Sequence, residues 1–373
     1  MAYRGTPYRK MRPKIADLSL AQLKSLVRSY GEPDYTARQI FRWLYQSLAT
    51  SFDQMTDLPA ELRKTLASQT TLLSLHPIDQ KVSDGGKTVK VLFGLDDGQS
   101  VESVLMLYEE RDKNRKRNTV CISTQVGCPV GCPFCATGQQ GFERNLSPGE
   151  IVEQVLYFQR QLAAHQYDAA VACPTSPRIT NVVLMGMGEP LANYESVRQS
   201  LQTLVSRQGL GFGARRITIS TAGLVPQMKR LAQEKVHVEL AISLHAGSNE
   251  LRNMLVPINR KYPLEMLLPA AMEYFEKTGR RPTFEYVLFR GINDSVRHAR
   301  DLARLLRGLN CHVNLIPASP TIDRKFLPPS MKQVLLFQRD LTLCGVSNTL
   351  RVSKGLNIEA ACGQLRSRCR TLC

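Results

Sequence analysis

Three cysteines, Cys128, Cys132 and Cys135, stand in GCPVGCPFCATG, spaced by three and then two residues. Thiolates so placed can converge from one loop, because Gly127, Gly131 and Gly138 permit tight turns while Pro129 and Pro133 limit the loop's freedom. Three sulfur donors suit zinc or an iron–sulfur centre, whereas calcium and magnesium prefer oxygen. Structural zinc needs a fourth ligand, and Cys121 is the nearby one, so a four-cysteine zinc site is one reading. The other is a four-iron cluster on three cysteines, with one iron left open to a small molecule. Beyond the triplet, Cys121 and Cys362 (in AACGQL) read either as a redox pair or as two small buried apolar side chains. Gly188 and Glu189, in GMGEP, follow an apolar run and would let a backbone approach a ligand closely; alone, that motif is weak.

The elements that must position these groups are legible as two patterns. Leu18 to Val27, Thr36 to Leu48 and Pro59 to Ser68 have helical spacing, with Gly31 ending the first and Asp57 placed to cap the third. Trp43 reads as packing for this small helical unit. Between Lys87 and Tyr108 the pattern turns to strands, VKVLFGL and SVESVLML, joined at DDGQ. RDKNRKR (111–117) follows, five basic residues in seven, which is a solvated loop or a grip on phosphates. Apolar strand candidates then recur at 120–124, 180–186, 215–220, 236–244, 282–289, 311–316 and 346–352. Strands alternating with helices predict parallel βαβ units, closed as a partial barrel or open as a sheet. AAVACPTSPR (169–178) reads as a surface insertion, and Ser147-Pro148-Gly149-Glu150 as a capping box.

The chain has 373 residues, 43% of them hydrophobic, enough for a sizeable core, which excludes disorder throughout. No run reaches the roughly 18 apolar residues of a membrane span, and MAYRGTPYRK lacks a secretory core, so a soluble cytoplasmic protein is expected. Forty-nine Lys and Arg against 32 Asp and Glu give a net charge of +17, which implies a polyanionic partner without naming it. Ten cysteines in such a chain point to metal or redox chemistry before a disulfide scaffold.

Longer stretches narrow this. CISTQVGCPVGCPFCATGQQGFERNLSPGEIVEQV, MGMGEPLANY, ITISTAG, AISLHA, NLIP and IEAACGQLR, with GEPDYTARQIFRWLYQSL near the start, resemble the RlmN family of dual-specificity rRNA and tRNA adenine C2 methyltransferases, radical S-adenosylmethionine enzymes. The resemblance runs from the N-terminal helices to Arg366. It implies an α/β fold: a partial (β/α)6 barrel over 119–354, a flexible arm at 1–14, a helical RNA-binding accessory domain at 15–80, a β-hairpin and basic loop at 81–118, and a catalytic-cysteine segment at 355–373. It further implies one [4Fe-4S] cluster on Cys128, Cys132 and Cys135, and two molecules of S-adenosylmethionine per turnover.

By the same resemblance Gly188, Glu189, Ser220, Ser243, Leu244, His245 and Asn314 contact the cofactor at predicted strand ends. Cys362 takes a methyl group, which is converted to a methylene radical that adds to adenine C2. Glu102 accepts the C2 proton, and Cys121 resolves the protein–RNA adduct. Implied partners are 23S rRNA, tRNA and an electron donor such as flavodoxin or ferredoxin, with no membrane and a monomeric chain. Two alternatives stand beside it, an adenine C8 methyltransferase and a zinc-stabilised RNA-binding protein. Asn357, where the family has aspartate, and the long Glu102–Cys121 connection depart from the pattern. Cys369 and Cys373 form an unassigned tail.

Overall fold

The computed structural model describes residues 12–108, 117–164, 177–319, 325–351 and 354–366. The basic run apart from Arg117, the insertion up to residue 176 and the Cys369/Cys373 tail lie outside these residues.

Helices Leu20–Ser29, Asp34–Tyr45 and Ala60–Gln69 build the N-terminal unit. Ser19 opens the first through a reciprocal cap with Gln22, and Gly31 turns the chain at φ +79°. The second buries Ala37, Ile40, Phe41, Leu44 and Tyr45 along one face, each large side chain contributing about 1.5–3 kcal/mol. It stops earlier than its periodicity predicts, with Leu48 in a left-handed turn at φ +61°. Asp57 does not cap the third helix, whose N-cap is Pro59. Instead its carboxylate accepts hydrogen bonds from Trp43 Nε1 and Arg42. Trp43 is half buried against the core, as its reading as packing requires.

The main sheet begins with three antiparallel strands, β1 (His76–Ser83), β2 (Thr88–Gly94) and β3 (Ser100–Tyr108). β1 is largely exposed and polar, which is why its sequence carried no strand signal, and it straddles the expected 80/81 boundary. β4 (Arg117–Cys121) pairs antiparallel with β3 and parallel with a strand much later in the chain. A small separate hairpin, β5 (Gln125–Gly127) and β6 (Phe142–Asn145), follows β4. The parallel series continues as β7 (Asn181–Leu184), β8 (Ile217–Thr221), β9 (Glu239–Ser243), β10 (Thr283–Leu288), β11 (His312–Pro317) and β12 (Asn348–Leu350).

The order is β1-β2-β3-β4-β7-β8-β9-β10-β11-β12, with β1 and β12 at its ends. From β4 to β12 every neighbouring pair is parallel, the α/β arrangement of the expected partial barrel. Strands and intervening helices alternate because each strand's apolar run needs cover on both faces. Helix Pro148–Ala163 buries ten of its residues, and Ser147 and Glu150 cap it reciprocally as their spacing predicts.

This helix also locks the N-terminal unit in place. Gly149 N donates to Asp17 at 2.8 Å, and Glu153 accepts from Ser74 N, Ser74 Oγ and Leu75 N at 2.7–2.9 Å. Burial still pushes the Glu153 carboxyl up to about 7.

Candidate active site

The β5–β6 hairpin pinches the cysteine loop shut, since Cys128 N donates to Gly141 O at 2.8 Å and a short helix, Ala136–Gln139, follows Cys135. Cys128, Cys132 and Cys135 are each half buried and line one cavity at the C-terminal ends of the parallel strands, together with Cys362. Active sites of parallel α/β folds gather at this end. Among the described residues no three His, Cys, Asp or Glu side chains close around a single point. Burial pushes the Cys128 thiol up to about 12 and also raises the Cys132 thiol well above its ordinary range, so a metal would have to displace their protons. The fourth ligand of the zinc reading is not there: Cys121 is buried on β4 and faces a different cavity. Three thiols on one wall fit a cluster that keeps one site open; they do not make a closed zinc tetrahedron.

Of the positions expected around the cofactor, Gly188, Glu189, Ser220, Ser243 and His245 line this cavity. A Cβ at Gly188, where φ is +100°, would stand 2.6 Å from Gln125 Cβ, so only glycine lets the loop pass. Glu189 is buried, and its carboxylate accepts from Leu191 N at 3.0 Å and Ala222 N at 2.7 Å, tying the ends of β7 and β8. Burial pushes it up to about 7. Leu244 and Asn314 are not on the wall. The Leu244 side chain is in the core, while its carbonyl accepts from Arg252; Asn314 sits inside β11, not at its end, and donates to Glu285 at 2.9 Å.

His245 adopts φ +59°, and its Nδ1 accepts from Val287 N at 3.1 Å. Burial, aided by the Arg252 cation, depresses its pKa from the usual 6.5 to about 3, so the ring stays neutral through the physiological range. Because the folded value lies below the unfolded one, its contribution to stability is whole above about 6.5 and is lost as pH falls toward 3. His245→Asn keeps an acceptor and tolerates the left-handed backbone. We expect urea unfolding at stepped pH to show the wild type losing up to ~1.4 kcal/mol per pH unit relative to this variant over that window; parallel curves would contradict it.

Cys362 follows the short 3-10 turn Leu356–Ile358 after β12 and precedes Gly363 at φ +81°. Its turn is pinned to the cysteine loop, with Ala136 N donating to Gly363 O at 2.8 Å and Thr137 Oγ1 to Leu365 O at 2.5 Å. Cys362 lines the cavity of the triplet and also an adjacent one that holds Cys121, Met185, Tyr108 and Lys354. The two outlying cysteines are thus brought to one volume from sequence positions far apart. Burial raises the Cys121 thiol to about 12, with the Cys362 charge adding to the rise; the neighbouring protein also raises Cys362, and Arg351 opposes the shift at both sulfurs.

Glu102 lies within β3. It is 2% exposed, lines neither cavity, and forms a 2.9 Å ion pair with the equally buried Lys90. Its other oxygen accepts from Arg366 N at 3.0 Å, while Lys90 donates to Glu359 O at 3.1 Å. One buried pair therefore holds the segment bearing Cys362 on both sides. Nearby, Arg144 is engaged by Asp97 and Glu150.

Sequence reasoning missed Arg252, Arg351, Lys90 and Glu285. None lies in a motif, and only long-range register brings them in. Arg252 is fully buried, donating to the carbonyls of Leu244, Ala222 and Ser243 and to Asn259 Oδ1. It ties the ends of β8 and β9, where the cofactor positions sit. A second, arginine-rich hollow, with Arg281, Arg300, Arg304 and Arg307, opens at the opposite end of the sheet, away from every predicted site residue.

Comparison with known proteins places this geometry. The model of the radical SAM superfamily matches residues 122–303, and that of the ribosomal RNA large subunit methyltransferase N-terminal domain matches residues 14–72. A relative from Pelotomaculum thermopropionicum with the name "Probable dual-specificity RNA methyltransferase RlmN" is 46% identical over 98% of this chain and 94% of its own length. One of the same name from Geobacillus kaustophilus is 44% identical over 95% and 93%. The crystal structure of a radical SAM methyltransferase from Sphaerobacter thermophilus superimposes with a TM-score of 0.88 at 48% identity, covering 95% of this chain and 99% of that one. With near-full-length identity of this order, and with three cysteines facing Cys362 across one cavity, the chain belongs to the RlmN family of radical SAM RNA methyltransferases.

Proposed function

We propose that this protein methylates C2 of adenine in 23S rRNA and tRNA, with Cys362 carrying the transferred carbon. The observation that carries this reading is the placement of Cys362 on the wall shared by the triplet cavity and the Cys121 cavity. When bound, the cluster and S-adenosylmethionine supply the methyl group and one-electron chemistry.

The protein's residues do the remainder. Cys128, Cys132 and Cys135 hold the cluster, and Gly188, Glu189, Ser220, Ser243, Leu244, His245 and Asn314 form the cofactor's surroundings. Adenine C2 is a poor nucleophile, so carbon delivered on a protein sulfur avoids a displacement with little electronic drive. Cys121 then attacks the Cys362 sulfur, forming a disulfide as the carbon leaves with the RNA. Both steps need the two thiols in one small volume. Glu102 is the proton acceptor of this scheme; since Arg366 N–H and Lys90 occupy its carboxylate here, it acts once the C-terminal segment shifts.

RNA is the partner that suits a +17 chain. No described helix is long and apolar enough to cross a membrane. The chain's electron donor, its monomeric state and a cytoplasmic location complete the reading.

A structural and a chemical role for Glu102 can be separated. Glu102→Gln leaves the Lys90 cation buried and unpaired, at a cost of about 3 kcal/mol. Adding Lys90→Met removes that charge, so the double variant is expected to recover most of the folding stability but not methylation. Restored turnover in it would remove Glu102 from the chemistry.

The reading as a whole is tested by anaerobic assay of reconstituted enzyme on undermodified 23S rRNA and tRNA with S-adenosylmethionine and a reductant. Mass spectrometry against authentic isomers should show 2-methyladenosine in both RNAs. Only 8-methyladenosine, or tight RNA binding without product, would replace it.

A further inference from the structure

Among the described residues, Glu285 Oε2 is the one carboxylate oxygen buried without a hydrogen-bond partner. Glu285 is 6% exposed, sits in the middle of β10 and lines the cavity that holds the cysteine triplet. Its Oε1 is satisfied by Asn314 Nδ2 at 2.9 Å. Arg351 is too far for a hydrogen bond to Oε2, at 3.9 Å, and offers only a weak ion pair. A buried polar atom left open in this way is costly, and where it faces a cavity it marks a place for a ligand donor.

Register identifies which part of a ligand that is. Glu285 pairs with Ser243 on β9 and with Asn314 on β11, so one level of the sheet presents Ser243, Glu285 and Asn314 in a row. The first and last are positions assigned to the cofactor's surroundings above. Glu189 follows β7, three strands from β10 with β8 and β9 between, beside the cysteine loop. An ammonium would demand an ionised carboxylate, and burial raises the Glu285 pKa. A hydroxyl both donates and accepts, so it pairs with either protonation state. Acidic side chains on strand ends bind ribose hydroxyls of nucleotide cofactors for the same reason.

We propose that Glu285 binds a ribose hydroxyl of S-adenosylmethionine through its unpaired oxygen. The inference rests on the cofactor reading under Proposed function.

The test is equilibrium dialysis of S-adenosylhomocysteine and its 2′-deoxy and 3′-deoxy analogues with anaerobically reconstituted full-length enzyme, wild type and Glu285→Ala. Loss of a hydrogen bond to this group is expected to weaken S-adenosylhomocysteine binding to the variant roughly ten- to hundredfold. One deoxy analogue should show a like loss with wild type and little further loss with the variant. Equal affinity of wild type and variant, or deoxy penalties of the same size in both, would overturn the proposal while leaving the function intact. Failure of the wild type to bind S-adenosylhomocysteine at all would overturn both. If Glu285→Ala does not fold, the isosteric Glu285→Gln and the wild-type analogue series decide: binding of both deoxy analogues as tightly as the parent refutes the proposal.

Discussion

Cys362→Ala is expected to bind RNA normally and to lower methylation roughly a thousandfold or more, with no protein–RNA adduct. The expectation follows from the place of the sulfur: no other described cysteine lines both the triplet cavity and the cavity of Cys121. The complementary substitution should act differently. Cys121→Ala leaves the carrier intact and removes the thiol that releases it, so an RNA-linked chain should accumulate to about one RNA per protein, visible as a shifted band that nuclease collapses. Neighbouring protein raises both thiols, and Arg351 is the cation that opposes this at each sulfur. Equal yields of released product from both cysteine variants would remove the assigned roles.

Arg252→Met is expected to destabilise the fold by about 3–5 kcal/mol. Methionine matches the length of the side chain but abandons the carbonyls of Ala222, Ser243 and Leu244 and the Asn259 amide oxygen, all served by one guanidinium with bonds of 2.6–3.2 Å. Burial lowers the Arg252 pKa to about 10, still well above neutral pH, so the cation is kept. Arg252→Lys should recover little, since an ammonium cannot span the same fork of acceptors. Urea unfolding reads the loss directly, and a change under about 1 kcal/mol would show that the strand ends hold without this tie. Because the tie joins the ends of β8 and β9, any folded fraction should also bind S-adenosylhomocysteine more weakly.

What the sequence made legible followed from local chemistry. The Ser147 capping box and the apolar parallel strands announce themselves within a dozen residues and form as expected, and the cysteine triplet, as local a signal, lines one cavity. β1 escaped because an exposed edge strand, His76–Ser83, needs no apolar alternation. The β5–β6 hairpin escaped because its strands are only three and four residues long. Asp57 was misplaced as a cap because Trp43 and Arg42, brought up by tertiary packing, claim its carboxylate.

The site divides the same way. Gly188, Glu189, Ser220, Ser243 and His245 reach the cavity from successive strand ends, whereas Asn314 lies within β11 and gives its amide to Glu285. Arg252, Lys90 and Glu285 are single residues whose meaning appears only when the sheet sets their neighbours. The grip of the Lys90–Glu102 pair on residues 359 and 366 joins a hairpin near the start of the chain to a turn near its end, a relation no local pattern encodes.

The central claim is that three cysteines hold an iron–sulfur cluster whose open site meets the cofactor beside Cys362. Its most direct test is to quantify iron, sulfide and zinc in anaerobically reconstituted protein, and then 5′-deoxyadenosine after adding S-adenosylmethionine and reductant. We predict about four irons and four sulfides per chain, negligible zinc, and 5′-deoxyadenosine formation that disappears in Cys132→Ala. One zinc per chain, with no 5′-deoxyadenosine under reducing conditions, would contradict the account.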